Sequence, residues 1–269
     1  MLARAIVVLR GTLEPAKRTG IVAAARRTFA IAIALVLLPQ AVHAFGPAEY
    51  VFTPSVTYGE HEIDFKAGAW KKMDEERLRA WSIGYGYGVS QRWWTELYRK
   101  YESFANESVT KFDAWEWENK FQLTEQGEYP VDVGFVIEVE RPQDRSEGYE
   151  LLFGPLFQTD FDKLQLNGNL LFQRSVRAAA PQHTEFGYQW QAKYRWKAEF
   201  EFGLQGFGEV GAWNHWDPPD ERTHRLGPAV FGKLPLGGRQ ALRYNAAWLV
   251  GATSGAPENT FRVQVEYEF

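Results

Sequence analysis

From Tyr50 to the last residue the chain repeats one pattern. Apolar and polar positions alternate with a period of two, in runs separated by polar or Gly/Pro-containing breaks. The run 184–197 shows it well: Phe186, Tyr188, Trp190, Ala192, Tyr194 and Trp196 share one face, and Gln189, Gln191, Lys193, Arg195 and Lys197 share the other. Residues 129–141 set Val131, Val133, Phe135, Ile137 and Val139 against Asp132, Glu138 and Glu140, and 163–176 set Leu164, Leu166, Leu170 and Phe172 against Gln165, Asn167, Asn169 and Gln173. The final run opposes Phe261, Val263, Val265, Tyr267 and Phe269 to Arg262, Gln264, Glu266 and Glu268. No stretch after Tyr50 has the 3.6-residue period of an amphipathic helix. The pattern predicts twelve strands, at about 60–70 (or from 50), 78–89, 92–103, 110–124, 129–141, 148–160, 163–176, 184–197, 198–212, 224–236, 239–252 and 259–269.

The breaks sort by length. Those after odd-numbered strands are long and charged, as in "KKMDEER", "ESFANES", "RPQDRSEG", "RAAAPQHT", "NHWDPPDERTH" and "SGAPEN". Those after even-numbered strands are short, as in "SQ", "EQGE", "DFD", the reversal at Lys197-Ala198, and "GG". An even number of antiparallel strands with short turns at one end and longer loops at the other is the plan of a transmembrane β-barrel with periplasmic turns and extracellular loops, both termini lying on the periplasmic side. A soluble barrel would turn its apolar face inward. Here that face is rich in Trp and Tyr, many near strand ends, as interfacial aromatic girdles are. A closed barrel is also the β solution lipid permits, because an open edge leaves backbone groups unpaired. The expected fold is therefore all-β: a single closed antiparallel transmembrane β-barrel of about twelve strands.

The front of the chain differs. Arg26-Arg27 precede "FAIAIALVLLP" and then "QAVHA": a positive n-region, a short apolar core and a small-residue cleavage site, expected to be cut after Ala44. This gives a removed signal and upstream extension, 1–44, and a barrel, 45–269. The removed part holds six of the 30 basic residues and one of the 34 acidic ones, so the mature barrel is more acidic than the full chain's net −4. That excess argues against a nucleic-acid partner. With no Cys in the chain there is neither a disulfide framework nor a thiolate metal site.

With its signal at Arg26 to Ala44 and a last strand ending on Tyr267 and Phe269, the chain resembles Gram-negative outer-membrane β-barrel proteins. The resemblance lies in architecture, not in aligned motifs. It implies an outer-membrane location and contact with outer-membrane lipid and lipopolysaccharide. It also implies that Phe261, Val263, Val265, Tyr267 and Phe269 form the signal read by the barrel-assembly machinery. Twelve-stranded members include nucleoside channels, acidic-oligosaccharide porins and a phospholipase.

What the barrel does depends on its inner face. The expected lumen-lining residues are Glu116, Glu118, Lys120, Asp132, Glu138, Gln189, Gln191, Lys193, Arg195, Glu199, Glu201, Glu209, Arg243, Asn245, Arg262, Gln264 and Glu266. They would either line a narrow diffusion channel for small polar solutes, with a mild cation preference, or pair across strands and plug the lumen, leaving a structural or interaction barrel that displays its loops. Twelve strands lie between filled and open barrels, so size does not choose. The glycines Gly84, Gly86 and Gly88 would leave lumen space. A lipid-acting hydrolase would need a His beside a Ser on one strand face, and none of His61, His183, His215 and His224 has one, so no catalytic residue is assigned. The loop residues His215, Asp217, Asp220 and His224, with Glu221, could ligate a divalent cation, but a solvated charged loop explains them as well. No cofactor is expected.

Overall fold

The structure, a computed structural model, describes residues 46–71, 77–104, 109–179 and 182–269. The expected signal segment and its cleavage after Ala44 lie outside the described residues. The strands are β1 (His61–Lys71), β2 (Arg77–Ser90), β3 (Trp93–Phe104), β4 (Lys111–Gln122), β5 (Asp132–Pro142), β6 (Tyr149–Phe161), β7 (Leu164–Val176), β8 (Glu185–Lys197), β9 (Phe200–Ala212), β10 (His215–Trp216), β11 (Thr223–Gly237), β12 (Gln240–Gly251) and β13 (Asn259–Glu268). Twelve of them form one closed antiparallel barrel; β10 is a two-residue extension that pairs with β9 in the loop between β9 and β11.

Each barrel strand pairs with its chain neighbours, and β1 pairs with β13 to close the ring, with Phe65 opposite Val265. Two backbone bonds finish the seam: the His61 N–H donates to Phe269 O (3.1 Å) and the Phe269 N–H donates to His61 O (2.9 Å). Closure leaves no free edge, which lets the wall sit in hydrocarbon. The outward face is correspondingly apolar, with Ile63, Phe65, Ile83, Leu97, Trp115, Trp117, Leu204, Trp248 and Phe261 all exposed. Ring pairs such as the stacked Trp81–Tyr101 and Trp93–Phe121 and the tilted Tyr194–Phe202 gather near the strand ends. Among the described residues no helix is long and apolar enough to cross a membrane; the crossing elements are strands.

The alternation assigns inner and outer faces as expected in every run used to derive it. Two details differ. The connection between β4 and β5 spans 123–131, well beyond "EQGE", because Thr124 and Gly127 fold back on the start of β5: the Val133 N–H donates to Thr124 Oγ1 (2.8 Å) and the Gly127 N–H to Asp132 Oδ1 (2.7 Å). And residues 46–60 are not an early extension of the first strand. They run through the inside of the barrel.

Candidate functional site

This inner segment, hereafter the strap, starts near the loop end, where Arg225 Nη2 donates to Gly46 O (3.1 Å), and descends to the turn end, where the Gly59 N–H donates to Gly88 O (2.8 Å). Two wall glycines exist because it passes so close. A Cβ on Gly68 would meet the Pro47 carbonyl, and one on Gly88 the Thr57 carbonyl.

Side chains hold the middle of the strap. The Tyr50 hydroxyl donates to Glu118 Oε2 (2.6 Å), and its ring covers one side of the Lys66 ammonium, which lies 3.7 Å from the Tyr50 centroid and 3.7 Å from that of Tyr98. A desolvated cation between two rings contributes on the order of 2 kcal/mol. Tyr98 in turn donates to Asp64 Oδ2 (2.8 Å). The next two residues reach opposite walls. Val51 joins Phe207, Ala229, Phe231, Ala247 and Leu249 on β9, β11 and β12; Phe52 joins Val136, Leu152, Leu156 and Leu171 on β5 to β7. The Phe52 backbone is bonded as well: its N–H donates to Gln189 Oε1 (3.3 Å), and Asn169 Nδ2 donates to its carbonyl (3.1 Å). Lower down, the Val56 N–H donates to Gln122 Oε1 (2.8 Å).

Below Phe52, beside the strap, lies a cavity of about 420 Å³ that reaches the turn residues Gln126 and Ala198. Its charges are unevenly spread. Glu62, Asp64, Glu96, Glu118 and Glu266, on β1, β3, β4 and β13, form one side. Lys193, Arg195, Lys233 and Arg243 lie on β8, β11 and β12, while Lys120 on β4 and Glu201 on β9 mix the signs, and Arg243 stands directly across from Glu266 on the neighbouring strand. The basic residues have carboxylates of their own: Lys193 with Glu201 (3.2 Å), Arg195 with Asp160 (3.2 Å), and Lys233 (2.6 Å) and Arg243 both with Glu268. On the acidic side Lys66 approaches Asp64 at 3.7 Å, and Gln264 Nε2 donates to Asp64 (3.0 Å) and Glu266 (2.8 Å). At the loop end the described lumen is tighter. Lys100 clamps Glu116 (2.8 Å) and Glu140 (2.5 Å), and the cavities there are about 30 and 20 Å³.

Of the expected lumen residues, Lys120, Lys193, Arg195, Glu201, Arg243, Asn245, Gln191, Gln264, Glu118 and Glu266 line the large cavity. Glu116 and Glu138 lie in the tight upper part. Gln189 holds the strap, and Arg262 Nη1 donates to Gln205 Oε1 (3.0 Å), itself bonded to Gln191. Glu209 is on the same face of β9, opposite Thr223 near the loops. Asp132 anchors the β4–β5 turn, and Glu199 stands exposed in the β8–β9 turn, where its carbonyl accepts from the Tyr244 hydroxyl (2.8 Å).

Among the described residues the carboxylate groups close enough to share a cation are all in the lumen; His215, Asp217, Asp220 and His224 are not gathered. His224 instead pairs with the Tyr188 hydroxyl (2.5 Å), and His61 with that of Tyr85 (2.6 Å). Sequence reasoning missed the strap and, on the wall, Glu62, Asp64, Lys66, Glu96, Tyr98 and Lys100. The signal in β1 was legible, since those three alternate with Ile63 and Phe65. In β3 it was disguised by large apolar or aromatic side chains on both faces, Trp93 beside Trp94 and Leu97 beside Tyr98.

Neither protein-family models nor curated proteins match the chain. Solved structures do. The NanC porin superposes with a TM-score of 0.51 at 11% identity, over 77% of this chain and 100% of that one. The KdgM porin gives 0.52 at 8% identity, over 77% and 99%. The COG4313 outer membrane channel from Pseudomonas putida F1 gives 0.52 at 11% identity, over 83% and 98%. The fold is that of an outer-membrane β-barrel. At such identities the likeness reaches the barrel and not its contents, so the strap and the two-signed cavity are read from this chain alone.

Proposed function

We propose that this protein is a narrow diffusion channel for small polar solutes in the outer membrane of a Gram-negative bacterium, and that the strap sets its closed state. The observation that carries the reading is the cavity of about 420 Å³ lined by carboxylate, ammonium and guanidinium groups. An unfilled volume lined by charged groups holds water and admits polar solutes, whereas a filled barrel leaves no such volume. The acidic side has fewer cations than carboxylates, so the open lumen favours cations. The porins and channel that share the fold support the same reading. No chemistry is assigned: His61 and His224 pair with the phenols of Tyr85 and Tyr188, not with the serine that the hydrolase reading requires. The terminal strand Phe261–Phe269 serves the assembly machinery, and the loop end faces lipopolysaccharide.

Single-channel recording in planar bilayers with purified, folded protein tests this. Small cation-preferring conductance steps are expected. A second reading, a permanently plugged barrel that works through its loops, is favoured by the strap and the Lys100 clamp. It predicts silence from the wild type and equally from variants whose strap is weakened, and that result would remove the channel reading.

A further inference from the structure

The lumen carries two apolar patches that a conduit for small polar solutes does not require. One is Val136, Leu152, Leu156 and Leu171; the other includes Phe207, Phe231 and Leu249. They lie on different arcs of the wall, β5 to β7 and β9 to β12, and the strap covers both. Between them two amides, Gln189 and Asn169, take the N–H and C=O of a single residue, Phe52. Above them Glu118 and Lys66 receive a phenol, through its hydroxyl and its ring face. Side-chain pockets on both sides of a chain whose backbone is gripped by polar groups are the means by which proteins recognise extended peptides.

The occupant is also removable in principle. None of residues 46–60 belongs to a barrel strand, so its departure breaks no barrel ladder. Its departure would leave both patches bare to water at mid-lumen, next to the large cavity, and exposed apolar surface of that kind is a binding surface.

We propose that the strap occupies a ligand site, and that the site takes a short extended peptide bearing an aromatic residue next to an aliphatic one, admitted by displacement of the strap. Passage of such a ligand rests on the channel reading above; its binding does not.

The test is calorimetric titration of the full-length folded protein with an N-acetylated, C-amidated peptide of residues 48–54, Ala-Glu-Tyr-Val-Phe-Thr-Pro. Apparent affinity equals intrinsic affinity scaled by the fraction of molecules whose site is free. Phe52→Ala and, separately, Tyr50→Ala free the site, so each should bind the peptide at least about tenfold more tightly than wild type. A peptide with Ala in place of its Phe should bind at least about tenfold more weakly. The chain has no Cys, so a lock can be added cleanly. A Cβ on Gly134 comes within 2.8 Å of Pro54 Cβ, which a small retreat brings to the ~3.8 Å of a disulfide. The Pro54→Cys, Gly134→Cys protein should refuse the peptide when oxidised and accept it when reduced.

Absence of binding by both folded strap variants would overturn the proposal, as would undiminished binding by the oxidised lock. The titration reads no current. A protein that binds but never conducts would therefore keep this inference and remove the channel reading, and one that conducts without binding would do the reverse.

Discussion

Replacing Phe52 with Ala separates the strap from the wall without touching a ladder hydrogen bond. The ring is 1% exposed, packed among Val136, Leu152, Leu156 and Leu171 and edge-on to Tyr50 at 4.9 Å. Truncating a core Phe to Ala costs about 3–5 kcal/mol when the surroundings cannot collapse. Here the wall is a closed barrel whose backbone cannot move in, so the cavity persists. The strap can respond where a core residue could not, by leaving. The loss therefore falls on the docked-to-undocked equilibrium and not on barrel stability. Taking about 3 kcal/mol, and about 1.4 kcal/mol per factor of ten, the undocked fraction rises roughly a hundredfold. The remaining grips, at Tyr50, at Val51 and through the Phe52 backbone, are unchanged. The assay is single-channel recording of wild type and variant under the same voltage and salt, reading the ratio of open to closed time. Barrel integrity is checked by the shift in electrophoretic migration on heating. An increase of about two orders of magnitude is expected. A folded Phe52→Ala barrel whose ratio stays within about twofold of wild type would show that the strap is not what closes the lumen. Tyr50→Phe is the milder companion. It removes only the hydrogen bond to Glu118, worth about 1.5–3 kcal/mol for a charged acceptor, so the ratio should rise at least about tenfold.

Gly88→Val places side-chain atoms where the Thr57 carbonyl lies, so it should raise open time as Phe52→Ala does while β2 keeps its pairing; recordings indistinguishable from wild type would contradict the close approach. Glu62→Gln with Glu96→Gln removes two charges from the acidic side of the cavity. At ~5 Å in a water-filled lumen each contributes about 0.8 kcal/mol, roughly fourfold in local cation concentration, so the reversal potential in a salt gradient should move toward anions. A fixed reversal potential would mean that permeating ions avoid that wall. Deleting Phe269 removes a ring stacked near His61 (5.5 Å) and Tyr267 (5.4 Å) and the two backbone bonds to His61 that finish the seam, but keeps the β1–β13 pairing from Glu62–Glu268 to Lys71–Asn259. It should lower the amount of inserted protein in cells far more than the heat resistance of the protein that does insert, and equal insertion with and without Phe269 would refute the assembly role.

The barrel was written in the sequence because lipid outside and polar groups inside impose opposite demands on neighbouring side chains. In β8 and β13 those demands produce an unbroken alternation, and the faces it assigned are the faces found. Strand number and loop sorting follow from where the alternation stops. The exceptions are instructive. Val136, Leu156, Leu171 and Phe207 occupy lumen positions although they are apolar. Val136, Leu156 and Leu171 each look like part of a fully apolar stretch and Phe207 stands between glycines, and an inward orientation says nothing about what the side chain touches. Glu199 was placed in the lumen by parity, and it lies exposed in a turn, where parity ceases to fix direction.

The strap shows the boundary most clearly. "AEYVFTPSV" has Val51 and Phe52 side by side, which breaks the alternation, and Pro47 and Pro54 nearby, which disfavour a central strand. The sequence could therefore say that this stretch is not a regular wall strand. It could not say that it lies inside the barrel, because every contact that puts it there joins residues remote along the chain: Tyr50 with Glu118, Phe52 with Gln189 and Asn169, Gly46 with Arg225. By itself the sequence determined the closed antiparallel wall, its two faces and its two kinds of end, since these follow from local periodicity and solvent. Only the tertiary structure decided the contents of the lumen: a strap between two apolar patches and a charge-lined cavity beside it. Those depend on which strands closure brings face to face, and no local pattern encodes that.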